Sequence, residues 1–254
     1  MPTNKSMRHY AAGIIKGILP QALGIAAIFF LNMFFFMLFS EHALPIFCKN
    51  LPSFAQPIIS TVFSALVSIF ITMPLTLGIM RFFWQTTLGA DNSVAVVFYY
   101  FSGHNYSRAL SYSFGMFLRM NLFMLLGTLF NTFRDYIRIE NVPQEIVTLV
   151  LTLLMFGSMI FGIYMALKFF LTPYLLINDE NLDTATAFET SKRLMFGQKG
   201  NLFGFMMSFF PWLLLCLTIL PMIYVYPFYM LACAIFAKYI IQAHNLTAPS
   251  TAPF

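Results

Sequence analysis

Long apolar stretches separated by short polar segments dominate this chain. Four stretches carry no charged residue, and they cover residues 17–40, 50–80, 146–167 and 200–237. An α-helix rises ~1.5 Å per residue and needs ~20 residues to cross a bilayer. Each of the first three stretches therefore predicts one transmembrane helix. Helical periodicity within them is weak, as is typical of helices whose every face is apolar.

The fourth stretch is too long for one crossing, because it would form a helix of roughly 57 Å. Pro221 and Pro227 lie in its middle, and proline removes a backbone donor and favours a helix break. The sequence therefore predicts two spans there, at residues 201–220 and 225–243, joined by a tight turn.

A sixth span is predicted at residues 112–133, within and after an amphipathic stretch whose polar face includes Arg108 and Arg119. The charge-free run after Arg119 is short for a crossing, so the span must begin before this residue. Two interpretations of Arg119 follow. Its stem carries the charge to the cytoplasmic headgroups, or it faces the bundle interior and binds an anionic group or a carbonyl.

Composition agrees with a membrane protein. Apolar residues make up 59% of the chain and charged residues 9%, whereas a soluble domain has roughly a quarter charged residues. We therefore predict a single all-α domain over residues 1–254, a polytopic membrane helical bundle of about six transmembrane helices with short cytoplasmic amphipathic helices. The expected spans are 17–39, 57–80, 112–133, 146–171, 201–220 and 225–243, and the expected cytoplasmic loops are 81–111 and 172–200.

The distribution of Lys and Arg predicts the orientation, because short cytoplasmic loops are rich in them. One side would hold nine of these residues and the other side three. The side with nine is the cytoplasmic one, so both termini are expected in the cytoplasm, and a bacterial plasma membrane fits best. The nine are Lys5, Arg8, Lys16, Arg81, Arg108, Lys192, Arg193, Lys199 and Lys238, and the three are Lys49, Arg134 and Arg138.

Residues 172–203 form a charged island between two apolar stretches, with four of the nine acids of the chain. A short helix is predicted from Asp183 to Phe196, with Asp183 as its N-cap and Gly197 after its end. Ala185, Phe188 and Met195 would form its apolar stripe, and Glu189 would pair with Arg193. The helix either lies on the headgroups, with Lys192, Arg193 and Lys199 near anionic lipid, or forms a docking surface for a cytoplasmic partner.

Hydroxyl residues recur at every fourth position of the second span, namely Ser60, Ser64, Ser68, Thr72 and Thr76. This spacing keeps small side chains on one helix face and lets a neighbouring helix approach closely. A packing surface is the main interpretation, and a polar permeation path along Ser64 and Ser68 is the other.

Motifs of catalysis are missing from the sequence: there is no HExxH pair, no GxGxxG, no GxxxxGK[ST] loop and no GxSxG elbow. Cys48, Cys216 and Cys233 are an odd and scattered set, which indicates neither a disulfide framework nor a zinc site. We therefore expect no cofactor, no metal and no catalytic residue.

The charged island also carries a family resemblance. The pattern Y-L-L-x-N-D-x-x-L-x-x-x-x-A-x-x-x-S-x-x-L-M-x-G-x-K-x-x-L-F runs from Tyr174 to Phe203, and Ser208–Trp212 and Tyr226–Pro227 follow it. With the upstream P-L-x-L-G at Pro74–Gly78, these residues resemble the uncharacterised bacterial family catalogued as domain of unknown function 975. The resemblance covers about residues 10–243. It implies a multi-span bacterial membrane protein and no particular reaction.

The sequence favours a non-enzymatic membrane scaffold or regulatory protein whose charged loop docks a partner or lipid headgroups. The alternative is a carrier or exporter of a lipid or an amphipathic peptide. The expected partners are membrane lipids and a cytoplasmic protein, with a homo-oligomer as an open alternative and no nucleic acid. The candidate contact residues are Arg119, Arg108, Ser64, Ser68, Lys192, Arg193 and Lys199.

Overall fold

The computed structural model describes residues 3–43, 46, 55–90, 93–121, 143–215 and 219–247, and these residues contain helices and no strand. In this described part of the chain, three π-helical turns and one 3-10 helix, Val94–Phe101, interrupt or connect the α-helices. The α-helices are α1 (Asn4–Gly17), α2 (Leu19–Leu38), α3 (Ala55–Val67), α4 (Met73–Thr87), α5 (Gly103–Met116), α6 (Gln144–Lys168), α7 (Thr172–Asn178), α8 (Thr184–Leu194), α9 (Lys199–Met207), α10 (Phe210–Leu215) and α11 (Ile219–Thr247).

Within the described residues, four helical segments are long and apolar enough to cross a membrane. They overlap the predicted spans 17–39, 57–80, 146–171 and 225–243, so the all-helical fold with membrane-length helices is confirmed. The segments are Leu19–His42, Ile58–Thr87, Gln144–Asn178 and Pro221–His244.

The count of six spans stays a prediction. Most of the predicted span 112–133 lies outside the described residues, which stop at Asn121 in this part of the chain. The predicted span 201–220 contains two short helices, α9 and α10, that meet at Ser208 and Phe209. Residues 216–218, which follow α10, also lie outside the described part.

The predicted helix break at Pro227 is wrong, because α11 continues through this residue. Pro221 lies in the first turn of α11, where a missing backbone donor costs little. Pro227 lies in the interior, where it removes one hydrogen bond. Its neighbours Val225 and Phe228 are buried, and we attribute the continuity of the helix to this packing.

Pro74 shows how the second membrane-length segment stays continuous. A proline at this position cannot donate to the carbonyl of Phe70, four residues earlier. The chain forms a π-turn over Ser68–Thr72, in which the Met73 amide donates to the Ser68 carbonyl. The hydroxyl of Tyr106 on α5 donates to the Phe70 carbonyl over 3.2 Å, so the acceptor that Pro74 leaves is used by a neighbouring helix.

Burial divides the molecule into two regions. In the packed region side chains are mostly buried within the protein; it comprises Leu75–Trp84, Leu167–Ile177 and Val225–Ile241, with the helices that surround them. In the exposed region most large apolar side chains face outward; it comprises Leu31–Leu38, Val62–Ile71 and Ile146–Ile163. The charged island belongs to the packed region.

Candidate functional site: the charged island

The charged island folds as two helices and the start of a third. Its first helix, α7, is buried from Thr172 to Ile177, so these residues are part of the core rather than a water-facing loop. The second, α8, begins after Asp183, whose carboxylate accepts a 3.0 Å hydrogen bond from the Ala185 amide. Gly197 follows with φ +77, the left-handed conformation that glycine adopts at low cost. The predicted helix, its N-cap Asp183 and the glycine that follows it are therefore confirmed, although the helix ends at Leu194, two residues before the predicted Phe196.

The inward face of α8 packs against the protein rather than on lipid. Phe188 is 1% exposed; it stacks on Tyr112 at 6.0 Å and meets Phe169 edge-on at 5.3 Å between ring centroids. The predicted stripe included Ala185, which is exposed. The buried stripe is instead Thr184, Ala187, Phe188, Ser191 and Met195.

Arg119 lies over this aromatic cluster. Its guanidinium carbon is 4.2 Å from the ring centroid of Phe188, a cation–π distance. One nitrogen donates to the carbonyl of Gly115 over 3.0 Å. A Cβ at Gly115 would lie 2.8 Å from the Phe188 ring, so the glycine makes room for both side chains. Arg119 therefore lies against α8, as the inward-facing interpretation expects, and its carbonyl partner lies one turn earlier in its own helical segment.

Arg108 joins α5 to the segment between α7 and α8. Its guanidinium donates to the carbonyls of Asp179 and Leu182, at 2.5 and 3.2 Å. Both acceptors are backbone groups of a non-helical segment, which would otherwise need water or another donor. Arg108 thus holds the charged island against the bundle, a positioning role.

A second ionic junction lies beside Arg108, and the sequence pattern does not identify it. Arg81 pairs with Glu180 at 2.7 Å, and the hydroxyl of Tyr99 donates to the same carboxylate oxygen over 2.9 Å. The guanidinium also covers the Tyr99 ring at 3.7 Å. Arg81 and Glu180 are far apart in sequence and no spacing rule relates them. The sequence signals are weak, since Arg81 is a single charge directly after an apolar run and Glu180 lies beside Asp179 in the charged island.

The pKa values of two groups at this junction are shifted in opposite directions, one by hydrogen bonds to a charged group and the other by burial. Hydrogen bonds from Arg81, and then from Tyr99, hold the pKa of the Glu180 carboxyl below its usual value. Burial raises the pKa of the Tyr100 hydroxyl, although the neighbouring Arg81 charge opposes this shift. Glu180 is therefore ionised and Tyr100 neutral at pH 7, and neither is poised to exchange a proton there.

The outward face of α8 is polar, basic and open. Lys192 pairs with Glu189 at 3.7 Å, and both side chains are well exposed. The predicted pairing of Glu189 with Arg193 is therefore wrong. A concavity of about 570 Å³ lies on this face, and a second of about 390 Å³ separates it from the end of α11. Arg193 and Phe196 line both. Phe196 is 85% exposed.

Lys199 lies apart from that face. Its ammonium donates to the hydroxyl of Tyr164 over 2.9 Å and lies 4.3 Å from the centre of the same ring. Tyr164 belongs to the membrane-length segment Gln144–Asn178. Lys199 thus ties the start of α9 to α6, and the three predicted cations of the island do not form one cluster.

The hydroxyl stripe lies along the second membrane-length segment. Ser64 donates to the Ser60 carbonyl over 2.8 Å and Thr76 to the Thr72 carbonyl over 2.7 Å. Thr72 makes a long 3.5 Å contact with the side-chain oxygen of Asn32 on α2. Ser68 opens the π-turn before Met73. This arrangement fits a packing surface better than a permeation path.

Among the described residues no group of three or more His, Cys, Asp or Glu is arranged to hold a metal ion. Cys233 is buried on α11, whereas Cys48 and Cys216 lie outside the described part of the chain.

The family model described as "Protein of unknown function (DUF975)" matches residues 1–244. This match confirms the resemblance carried by the charged island and extends it over nearly the whole chain. No curated protein matches the sequence, and no solved structure does either.

Proposed function

Since the chain belongs to the DUF975 family of proteins of unknown function, we propose a role from its geometry. We propose that it is a multi-pass protein of the bacterial plasma membrane, with both termini in the cytoplasm, and that it acts as a non-enzymatic scaffold or regulator. In this role the outward face of α8 docks an acidic segment of a cytoplasmic protein. The proposal rests on the contrast between the two faces of α8. The inward face is buried in the core, whereas the outward face is open and is followed by the exposed ring of Phe196.

The membrane setting is supported by the exposed region. In three of the four membrane-length segments only 17% of the most apolar window is buried within the protein. Leu31, Phe35, Leu153 and Ile160 are each more than 60% exposed. An outward surface of this kind would be unstable in water, and a lipid environment covers it.

Contacts within the packed region support a common side for the predicted cytoplasmic segments. Lys238, near the end of α11, donates to the Thr87 carbonyl at the end of α4 over 2.5 Å. Arg81 and Arg108 both contact the charged island, as described above. The connection after the second span, the island and the end of α11 therefore meet at one end of the bundle, as the distribution of basic residues predicts.

A rigid base makes the outward face of α8 suitable for binding. The helix is anchored by Phe188 in its aromatic pocket and by Ser191, whose hydroxyl donates to the Lys168 carbonyl over 3.2 Å. Arg108 and Arg81 hold the segment that precedes the helix. Because these contacts already order α8, a partner would lose little affinity to further ordering.

The chemistry of the face indicates the partner. Hot-spot residues at protein interfaces are enriched in Arg, Trp and Tyr and cluster near the centre of the patch, and phenylalanine is also enriched at interfaces. Arg193 and Phe196 stand between two concavities, and Lys192 is only weakly paired at 3.7 Å. A segment with one or two carboxylates and an apolar side chain would match this surface.

The alternative, a carrier of a lipid or an amphipathic peptide, has less support. It was motivated by Arg119 and by the stripe that includes Ser64 and Ser68. Arg119 is engaged by the Gly115 carbonyl and the Phe188 ring, and Ser64 bonds to its own helix. These groups are thus used in internal contacts.

Photo-crosslinking in cells tests the proposal directly. A photoreactive phenylalanine analogue at position 196 should form adducts with a discrete protein, and Arg193→Glu on the same chain should reduce their yield several-fold. The same analogue at Leu153, which is 61% exposed on α6, is the matched control and should capture lipid only. Phe188 would be an unsuitable probe position, because it is buried.

The result that would overturn the proposal is equal recovery of lipid, and no protein, at positions 196 and 153. An adduct of twice the mass of the chain would identify a second copy rather than a cytoplasmic partner and would also contradict it. The crosslinking can then be repeated with the purified partner. Loss of the adduct in the Arg193→Glu variant would confirm direct contact.

A further inference from the structure

A basic groove lies between the first helix and the last two, away from the charged island. It has a volume of about 350 Å³. Three residues of α1, Lys5, Arg8 and His9, face three aromatic residues, Trp212, Tyr224 and Phe228.

The α1 side of the groove is set by the amphipathic pattern of that helix. Met7, Ala11 and Ile15, spaced four residues apart, are buried, so Lys5 and His9 fall on the outward side. Arg8 is half-buried and donates to the carbonyl of Ser208 over 2.9 Å, at the end of α9. This bond uses one of the five N–H donors of the guanidinium, which leaves the others available.

The charged side chains of residues 1–40 are all basic. The first acidic residue of the chain is Glu41, and no acidic side chain is among the residues that line the groove. A cationic rim without carboxylates attracts an anion.

The opposite wall consists of rings in contact with one another. Tyr224 stacks on Phe228 at 6.3 Å and Trp212 packs on the same ring at 6.0 Å between centroids. Trp212 and Tyr224 are each 37% exposed, whereas Phe228 is 5% exposed. Tryptophan and tyrosine are enriched at the headgroup level of a bilayer.

We infer that this groove binds the phosphate headgroup of an anionic phospholipid. Lys5, Arg8 and His9 would contact the phosphate, and the glycerol and upper acyl chain would lie against Trp212 and Tyr224. The volume suits a headgroup rather than a whole lipid, whose chains would remain in the bilayer. The inference rests on the proposed membrane setting, and it is independent of the docking proposed for α8.

Tryptophan fluorescence tests this site, because the two tryptophans of the chain differ in environment. Trp212 lines the groove, whereas Trp84 is 3% exposed and reports on the fold. The protein would be placed in bilayers of phosphatidylcholine that contain an equal mole fraction of brominated phosphatidylglycerol or brominated phosphatidylcholine. The fluorescence of Trp212 is obtained by subtracting the emission of the variant Trp212→Phe from that of the wild type.

Quenching of Trp212 should occur at a several-fold lower content of brominated phosphatidylglycerol than of brominated phosphatidylcholine. The double variant Lys5→Gln/His9→Gln should remove most of this preference, whereas Lys16→Gln, an exposed change on the same helix, should keep it. A Lys or Arg near an anionic surface contributes about a five-fold preference, so the expected loss comes mainly from Lys5. Unchanged Trp84 emission would show that the variants are folded.

Two results would overturn the inference. The first is equal quenching by the two lipids, or a preference that survives Lys5→Gln/His9→Gln. The second is relief of the phosphatidylglycerol quenching by soluble glycerol 3-phosphate, which would assign the groove to a free phosphate. Neither result would affect the crosslinking at position 196, so this site and the proposed docking face fail separately.

Discussion

The two halves of the segment Ile58–Thr87 both carry large apolar side chains but have different surroundings. In the first half Val62, Leu66 and Phe70 are about half exposed. In the second half Leu77, Ile79 and Phe83 are at most 2% exposed. One half is stabilised by contacts within the protein and the other by its lipid environment. The type of an apolar side chain alone does not distinguish the two environments, because both favour Leu, Ile and Phe.

The boundary between the regions follows the polar residues. Arg81, Glu180, Arg108 and Arg119 all belong to the packed region or its edge, and each has a defined partner. The hydroxyls of the exposed region bond mainly to their own helix. Tertiary polar contacts thus accumulate where the chain is packed, and substitutions in the two regions should differ in effect.

The largest difference is expected at two glycines. A Cβ at Gly78, in the packed region, would overlap the backbone carbonyl of Val97, whereas a Cβ at Gly157, in the exposed region, would meet nothing within 4 Å. Gly78→Ala should displace the 3-10 helix and lower the free energy of unfolding by about 3 kcal/mol. Gly157→Ala should leave it equal or slightly higher, because alanine favours helix.

Thermal unfolding of both variants in the same detergent measures this difference. Similar melting temperatures for Gly78→Ala and Gly157→Ala would contradict the division into two regions.

An intermediate effect is expected at the edge of the packed region. Arg119→Leu should leave membrane insertion intact but lower stability by about 1–2 kcal/mol, since the contact with Phe188 and the hydrogen bond to Gly115 are lost. Hydrogen exchange in α8 should increase. Arg193→Leu removes an equal charge from the outward face and should leave exchange in α8 unchanged. Equal hydrogen exchange of α8 in the two variants would show that Arg119 does not stabilise the charged island.

A smaller effect, dependent on pH, is expected at Glu180. Because its pKa is lowered in the folded protein, the carboxylate stabilises the fold above its unfolded pKa, and this stabilisation is lost as the pH falls through the folded pKa. Because the Glu180 side chain is 55% exposed, solvent screens its pair with Arg81, and Glu180→Gln should cost less than about 1 kcal/mol at pH 7 and almost nothing in acid. Melting temperatures across this range should therefore converge for the wild type and the variant. Glu189→Gln, at an exposed pair, should show no such convergence.

The smallest effect is expected in the exposed region, from the double change Ser64→Ala/Ser68→Ala. Ser64 bonds to its own helix backbone, so removal of its hydroxyl should change stability by less than about 0.5 kcal/mol. A loss of transport of any amphiphile in reconstituted vesicles, with unchanged stability, would instead favour the permeation path.

Sequence reasoning is successful where the cause is local. The helix of the charged island, its cap at Asp183 and its glycine end follow from short-range rules. The break expected at Pro227 failed, because tertiary packing outweighs the loss of one hydrogen bond. The exposure of Ala185 and the pairing of Arg81 with Glu180 could not be predicted, since both depend on which helices meet in space.

Membrane-side labelling of two introduced cysteines tests the central claim most directly, in a chain whose native Cys48, Cys216 and Cys233 are replaced. Phe196→Cys should react with a membrane-impermeant maleimide only when the cytoplasmic face of sealed vesicles is outside. Leu153→Cys should react in neither orientation. On this account the charged island lies in the cytoplasm and the exposed region lies in lipid. Labelling of position 196 from the opposite face, or of position 153 from water, would contradict it.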